Sequence, residues 1–215
     1  ARKYLVEQLL DGKKGYRWAE QIGNTISGSK VEYLSDNEKQ ETKRLWHSCF
    51  PEDTDKFIEY YYSEKTKDNR ILVKKDSGLI VSMTQLNPYR VSMKDKEIDT
   101  FYVVGVATDA GRRREGHFRD VFLQMMQDMN EEKVPFLFLM PADANIYLPL
   151  DFAYMCELPL MELTREAKER LTAVVCHDNE EDCQKAAEFM EQWLSARFDM
   201  YCLRDGAYVS RLLKE

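Results

Sequence analysis

Tyr102–Phe118 reads YVVGVATDAGRRREGHF, and this stretch determines the expected fold. Its first half is apolar and β-branched, which is typical of a buried strand, and an amphipathic helical pattern follows it from about Gly116 to Asn130. A basic, glycine-containing loop joins the two. Such a loop at the start of a helix favours a bound anion, because the first helical amides are unpaired and carry a partial positive charge. From composition alone, a solvated basic loop explains the same pattern.

The segments on either side predict a mixed α/β order. Lys75–Gly78 supplies turn residues between two β-rich runs, and Asn87–Pro88 is expected to interrupt the second run. Ser35 and Glu38 form a capping-box pattern that is expected to open the first helix. In chain order we expect a strand at Lys30–Leu34, two helices, strands at Arg70–Lys74, Gly78–Leu86 with Tyr89–Met93, and Glu97–Thr108, the helix after Gly116, and a buried strand at Pro135–Met140.

The second predicted helix carries three consecutive tyrosines, Tyr60, Tyr61 and Tyr62. Successive residues of a helix point in different directions, so the three rings cannot share one face. We therefore expect at least one of them to face a cleft or solvent.

A second stretch, Pro135–Tyr154, reads PFLFLMPADANIYLPLDFAY. Together with Arg113–Phe118 it resembles the motifs of the GNAT superfamily of acetyltransferases, in which an R/Q-x-x-G-x-G/A loop is followed by a buried strand and a short helix bearing asparagine and tyrosine. The resemblance implies a GNAT-like acyl-CoA N-acyltransferase fold. We thus expect an α/β (α+β) domain with a central, mostly antiparallel twisted sheet flanked by helices.

The resemblance also assigns roles. In the superfamily a strand that diverges from its neighbour pairs with the pantetheine arm of coenzyme A, and loop amides hold the pyrophosphate. The position of Tyr147 is that of a tyrosine that protonates the departing thiolate, and a neutral phenol suits this task. The cofactor-binding residues implied in this way are Val106, Ala107, Thr108, Arg113, Arg114, Glu115, Gly116, His117, Phe118, Arg119 and Asn145.

Two residues depart from the superfamily pattern. Glu115 brings a negative side chain into a phosphate loop, and Phe118 replaces a small residue. We expect Glu115 to point away from the phosphates and the Phe118 ring to turn into the core. Both departures also suit an alternative function, a catalytically weak or inactive module that binds coenzyme A as a scaffold or sensor.

More narrowly, the runs GVAT, IY and NPY resemble the amino-terminal domain of the "enhanced intracellular survival" branch. This implies acetyl-CoA as co-substrate and a cationic amine as acceptor: a polyamine, an aminoglycoside-like molecule or a lysine side chain. The expected divisions are an amino-terminal extension at 1–29, the acetyltransferase domain at 30–163, and a helical segment at 164–215 that resembles the start of a second, degenerate GNAT domain. Candidate bases for the amine are Glu59, Glu97 and Asp99.

Composition narrows the possible partners. The formal charge of −7 over 215 residues lacks the basic excess of a nucleic-acid-binding protein. No apolar run approaches the roughly 18 residues of a membrane span, so we expect no membrane partner. The five cysteines and three histidines lack metal-site spacing, and no metal is expected. The amino-terminal residues lack the pattern of a secretory signal, which favours a cytoplasmic protein. Homo-oligomerisation is left open.

Overall fold

The computed structural model describes residues 3–8, 30–94, 96–157, 164–170 and 175–215. Within these residues, eight strands form one sheet in the order β2-β3-β4-β5-β6-β1-β7, and β8 pairs separately with β4. Strands β5 and β6 are parallel, whereas the other described pairs are antiparallel. The strands are β1 (Lys3–Gln8), β2 (Val31–Tyr33), β3 (Arg70–Asp76), β4 (Leu79–Met93), β5 (Lys96–Thr108), β6 (Phe136–Leu139), β7 (Ala153–Glu157) and β8 (Met200–Cys202).

Helices cover both faces of this sheet. Alternation along β3 separates the faces: Leu72 packs in a core with the helix that follows β5, whereas Ile71 and Val73 pack in a second core with the two helices that precede β3. The fold is therefore the expected mixed α/β arrangement. The helices are α1 (Lys43–Cys49), α2 (Asp55–Glu64), α3 (His117–Glu131), α4 (Arg165–Arg170), α5 (Glu180–Ser195) and α6 (Gly206–Lys214).

Strand β4 corrects one prediction. Asn87–Pro88 does not interrupt it, and the strand runs without a break from Leu79 to Met93. The reason is the position of β3, whose first residue, Arg70, is opposite Leu86, so β3 does not extend alongside Pro88. Pro88 therefore lies where one edge of β4 no longer has a neighbouring strand to which an N–H could donate, and proline is tolerated at such an edge.

The beginning of the chain contributes to the sheet. Lys3–Gln8, which the sequence analysis assigned to an extension, pairs on one side with β6 and on the other with β7. The remainder of that extension lies outside the described residues, as do residues 158–163 at the predicted end of the acetyltransferase domain. Pairing of this kind depends on residues more than a hundred positions apart, so it is not visible in the local pattern.

The first helices also differ from expectation. Glu38 reaches back to the amide of Ser35 at 3.0 Å, as a capping box requires, but a 3₁₀ turn follows and α1 begins only at Lys43. The expectation that one of the three tyrosines faces a cleft or solvent is wrong, because Tyr60, Tyr61 and Tyr62 are all buried.

The last part of the chain docks on the domain at two places. Strand β8 adds to the edge of β4, where Val91 is opposite Cys202. Helix α6 lies against the end of α2 and the residues after it, where Arg211 pairs with Asp68 at 2.8 Å. No helix in the described ranges is both long and apolar enough to cross a membrane.

Candidate active site

The site is built around a gap between the parallel strands β5 and β6. Their pairing ends where Val103 is opposite Leu139. Strand β5 continues to Thr108 and stays paired with β4 on its other side, so its last residues have no β6 partner. These residues include Val106, Ala107 and Thr108, the positions at which the sequence predicted contact with the pantetheine arm.

A bulge lies at the start of this unpaired segment. Gln85 of β4 is opposite Val104 and Met83 is opposite Ala107, so two residues of β5 face one of β4. Gly105, the first of the two, has a φ of +59°, and a Cβ placed on it would lie 2.8 Å from the Trp46 ring. Both the backbone conformation and the close approach of the indole therefore require glycine. A glycine inside a strand pattern is a known signal of a bulge, and the sequence analysis did not use it.

The loop after β5 leads into an uncapped helix. Gly116 is the residue before α3, has a φ of +86°, and provides no side chain to cap the helix. The first intrahelical hydrogen bond runs from the Asp120 amide to the Gly116 carbonyl at 3.0 Å. The amides of His117, Phe118 and Arg119 precede this bond, and a Cβ on Gly116 would meet nothing within 4 Å. The helix thus presents free donors to open space, which suits a phosphate group.

Ion pairs hold the Glu115 carboxylate beside this loop. Its Oε2 accepts from Arg112 Nε at 2.7 Å and lies 3.0 Å from His117 Nε2. Arg112 also pairs with Asp76, which anchors the loop to the end of β3. The hydrogen bond from Arg112 keeps the pKa of Glu115 below its ordinary value. The negative charge that departs from the superfamily pattern is therefore partnered within the loop itself.

The arginines that follow remain available. Arg113, Arg114 and Arg119 are exposed, and Arg114 adopts a left-handed backbone with a φ of +69°. Arg113 makes a hydrogen bond of 3.4 Å to the Thr108 carbonyl, which joins the loop to the end of β5. Three exposed cations consequently lie within four residues, in sequence, of the free amides of α3.

The second motif meets the first through aromatic contacts. Tyr147 lies between two 3₁₀ turns after β6, and its ring is packed among those of Phe118, Phe122 and Phe152. The Phe118 ring thus turns into the core, as expected. Burial raises the pKa of Tyr147 to about 12, with a smaller contribution from Tyr102. The phenol is neutral throughout the physiological range.

Asn145 is the predicted site residue that the structure does not bring against the loop. It is exposed on the turn before Tyr147, and its side-chain Nδ2 donates to Asp143 at 2.9 Å. Among the described residues, its hydrogen bonds are to this carboxylate. Asn145 therefore stabilises its own turn in the structure.

A buried polar pair that the sequence analysis missed lies on the face of the sheet that carries α1 and α2. The Tyr61 hydroxyl donates to Asn87 Oδ1 at 2.9 Å, and both side chains are buried. Asn87 is directly opposite Tyr102 of β5, one residue from the end of the β5–β6 pairing. Burial raises the pKa of Tyr61, so this hydroxyl also remains a neutral donor.

The three carboxylates named as candidate bases, Glu59, Glu97 and Asp99, are engaged in ion pairs. Glu59 pairs with Lys43 at 2.7 Å, and Asp99 pairs with Arg90 at 2.8 Å. Asp99 precedes Val103 by four residues along an extended strand, which separates their Cα atoms by about 13 Å. Among the described residues, no group of three or more His, Cys, Asp or Glu side chains could hold a metal ion.

With this geometry established, comparison with known proteins identifies the family. The sequence profile of the acetyltransferase (GNAT) domain matches residues 30–155. The chain belongs to the GNAT acetyltransferase family. No curated protein matches the sequence.

Solved structures with the GNAT fold resemble the chain. A predicted acetyltransferase with acetyl-CoA from Clostridium acetobutylicum aligns with a TM-score of 0.55 and 11% identity, covering 63% of this chain and 97% of that one. A probable N-acyltransferase of unknown function from Enterococcus faecalis aligns with a TM-score of 0.53 and 18% identity, covering 57% of this chain. The second alignment spans only 32% of the Enterococcus protein. At these identities the likeness concerns the fold.

Proposed function

We propose that the chain is an acetyl-CoA-dependent N-acetyltransferase that acts on an amine by direct transfer. The observation that carries the proposal is the meeting of three features at one place: the unpaired end of β5, the uncapped start of α3, and Tyr147. Each feature supplies one requirement of the reaction. Strand and helix provide donors that hold a phosphorylated thioester, and the phenol provides a proton.

The residues present fit acetyl-CoA. The amides at the start of α3 and the side chains of Arg113, Arg114 and Arg119 offer hydrogen bonds and charge to the pyrophosphate. The free edge of Val106–Thr108 offers backbone groups to the amides of the pantetheine arm. Acetyl-CoA supplies the acetyl group as an activated thioester. Asn145 is retained as a cofactor contact, which requires its side chain to leave Asp143.

Tyr147 is proposed as the general acid. Its hydroxyl donates a proton to the departing sulfur, while the amine nitrogen forms the new bond to the acetyl carbon and releases its own proton to solvent. A pKa of about 12 makes the buried phenol a weaker acid than free tyrosine. Donation is therefore most effective when it accompanies cleavage of the carbon–sulfur bond, as negative charge develops on sulfur.

We infer a cationic amine as acceptor, in keeping with the resemblance to the "enhanced intracellular survival" branch. The net charge of −7 supports it, since an acidic protein attracts cations. Asn87, held in place by the Tyr61 hydroxyl, offers a fixed polar group near the end of the β5–β6 pairing. Because Glu59 is paired with Lys43, and Glu97 and Asp99 are paired with Arg90, none of the three is proposed as the base.

The structure removes two arguments for an inactive coenzyme A-binding module. Glu115 is neutralised by Arg112, and the Phe118 ring packs against Phe122 instead of filling the phosphate loop. Release of free thiol from acetyl-CoA should therefore occur with spermidine, an aminoglycoside or a lysine peptide, and more slowly with a neutral arylamine. A chain that binds coenzyme A in a thermal-shift assay but releases no thiol with any of these amines is the inactive module. Faster reaction with the arylamine contradicts the cationic acceptor alone.

A further inference from the structure

A large cavity lies between the acetyltransferase domain and the last part of the chain. Its volume is about 980 Å³. One wall comes from β4, β5 and the residues after α2, and the opposite wall comes from α5, α6 and the segment between β8 and α6. The cavity lies along one edge of β4, between Leu86, where the pairing with β3 stops, and Val91, where the pairing with β8 starts.

The carboxylates of this cavity already have partners. Asp68 pairs with Arg211 at 2.8 Å, and Asp99 pairs with Arg90 at 2.8 Å. Of the other four carboxylates, one forms an ion pair with Arg90 as well, and three accept hydrogen bonds from neutral groups. These are Glu97 with Arg90, Glu188 with Gln184, Glu191 with the Tyr201 hydroxyl, and Asp205 with the Tyr208 amide.

Among the described residues, two cations of the cavity have no carboxylate partner, and Arg204 Nη1 donates to the Met190 sulfur at 4.0 Å. Neither Lys65 nor Arg204 forms an ion pair with any described residue, although both line the cavity. Each lies against the same aromatic ring, with Lys65 Nζ 5.7 Å and Arg204 Cζ 5.4 Å from the centroid of Tyr208.

Burial makes the missing partners costly. Arg204 Nε is buried and makes no hydrogen bond within the described part of the chain. Burial also lowers the pKa of Lys65. A buried charged donor without an acceptor destabilises the protein, so an acceptor supplied by a ligand is favoured here.

We propose that this cavity binds an anionic ligand, bearing carboxylate or phosphate groups, whose negative charge is held by Lys65 and Arg204 beside the Tyr208 ring. Lys65 belongs to the acetyltransferase domain, whereas Arg204 and Tyr208 belong to the last part of the chain. The ligand therefore joins the two and stabilises their docking. Asn87, proposed above on the acceptor side, also lines this cavity, but Lys65, Arg204 and Tyr208 have no part in the proposed acetyl transfer, so the two proposals can fail independently.

The test is calorimetric titration of the whole chain with inorganic phosphate and, separately, with succinate, at constant ionic strength set by chloride. Replacing both cations, in the Lys65→Gln/Arg204→Gln variant, should weaken binding of the effective anion roughly tenfold or more, because each loses a charge-assisted hydrogen bond. The two titrations separate a phosphate ligand from a carboxylate ligand. Matched controls are Lys67→Gln and Arg197→Gln, which remove the same charges outside the cavity and should bind as the wild type does.

Hydrogen exchange locates the site independently. The bound anion should slow exchange at residues 65–67 and 203–208, and this protection should disappear in the double variant. Protection confined to residues 113–119 assigns the anion to the phosphate loop and overturns the proposal. So does equal affinity of the wild type and the double variant, or absence of binding by both anions at millimolar concentration. Thermal melting of the double variant verifies that it is folded.

Discussion

The ring of Phe118, in the first turn of α3, meets the ring of Tyr147 edge-on, with centroids 6.2 Å apart and an angle of 84° between the planes. This contact joins the two motifs that the sequence separates by almost thirty residues. A residue of the phosphate loop thereby sets the position of the proposed acid, because an edge-to-face pair in a close-packed core has little freedom to shift.

Replacing Tyr147 by phenylalanine should lower kcat and leave binding of coenzyme A nearly unchanged. A proton donor stabilises the transition state and contributes little to ground-state affinity, so we expect a loss of roughly a hundredfold. Steady-state kinetics and calorimetry measure the two effects. Tyr154→Phe, at an exposed tyrosine of β7, is the control. Turnover of the Tyr147 variant at the wild-type rate would show that another group or solvent supplies the proton.

Tyr147 should ionise at a higher pH than an ordinary tyrosine. Its pKa is raised from 10.0 to about 12, so the folded state favours the neutral phenol. The corresponding stabilisation is fully present below pH 10 and is lost as the pH rises through 12. Phenolate absorbance of the wild type minus that of Tyr147→Phe should therefore show one group titrating near pH 12. A difference titration centred near pH 10 would contradict the burial of this hydroxyl.

Gly116 offers a test of the phosphate loop with a closely matched control. Gly78, in the turn between β3 and β4, has a similar φ of +80° and equally open surroundings. Valine at either position costs about 1–2 kcal/mol of folding free energy through backbone strain. Only Gly116→Val should also weaken the binding of coenzyme A, because the valine side chain fills the space before the free amides of α3. If both variants bind coenzyme A as the wild type does, the pyrophosphate lies elsewhere.

The sequence predicted the parts of the fold that depend on local pattern. The strand, basic loop and helix of Tyr102–Phe118 are present as expected, and the Phe118 ring is directed into the core. Features set by distant neighbours could not be read in this way. Pro88 stays in a strand because β3 does not extend alongside it, and Lys3–Gln8 joins the sheet because β6 and β7 leave a space between them. Tyr60 is buried although Tyr61 and Tyr62 already face the core, and its position near Tyr208 and Arg211 of α6 explains this.

Gly105 should tolerate no side chain. Alanine there must adopt a φ of +59° and place its Cβ 2.8 Å from the buried ring of Trp46. Strain and overpacking together predict a loss of about 2–4 kcal/mol in the free energy of unfolding. Denaturant titration measures it, with Gly111→Ala as control because that Cβ meets nothing closer than 3.5 Å. Wild-type stability of Gly105→Ala would mean that the bulge is absent.

The pairing of Arg112 with Glu115 predicts that a second substitution restores the coenzyme A affinity that a first one lowers, which a simple basic loop cannot produce. Removing the arginine, in Arg112→Ala, leaves the Glu115 carboxylate with the His117 ring in place of a guanidinium partner, beside the free amides of α3, where its charge repels the pyrophosphate. We expect coenzyme A to bind roughly two- to fivefold more weakly to Arg112→Ala, which is the range for an exposed and screened charge. This loss of affinity should be smaller than the loss in Gly116→Val.

The double variant Arg112→Ala/Glu115→Gln should regain most of the wild-type affinity, since the repelling charge is gone. Calorimetry on the four proteins of this cycle measures the coupling, which should shrink as salt is raised. If the double variant binds no better than Arg112→Ala, then Arg112 contacts the cofactor directly instead of neutralising Glu115.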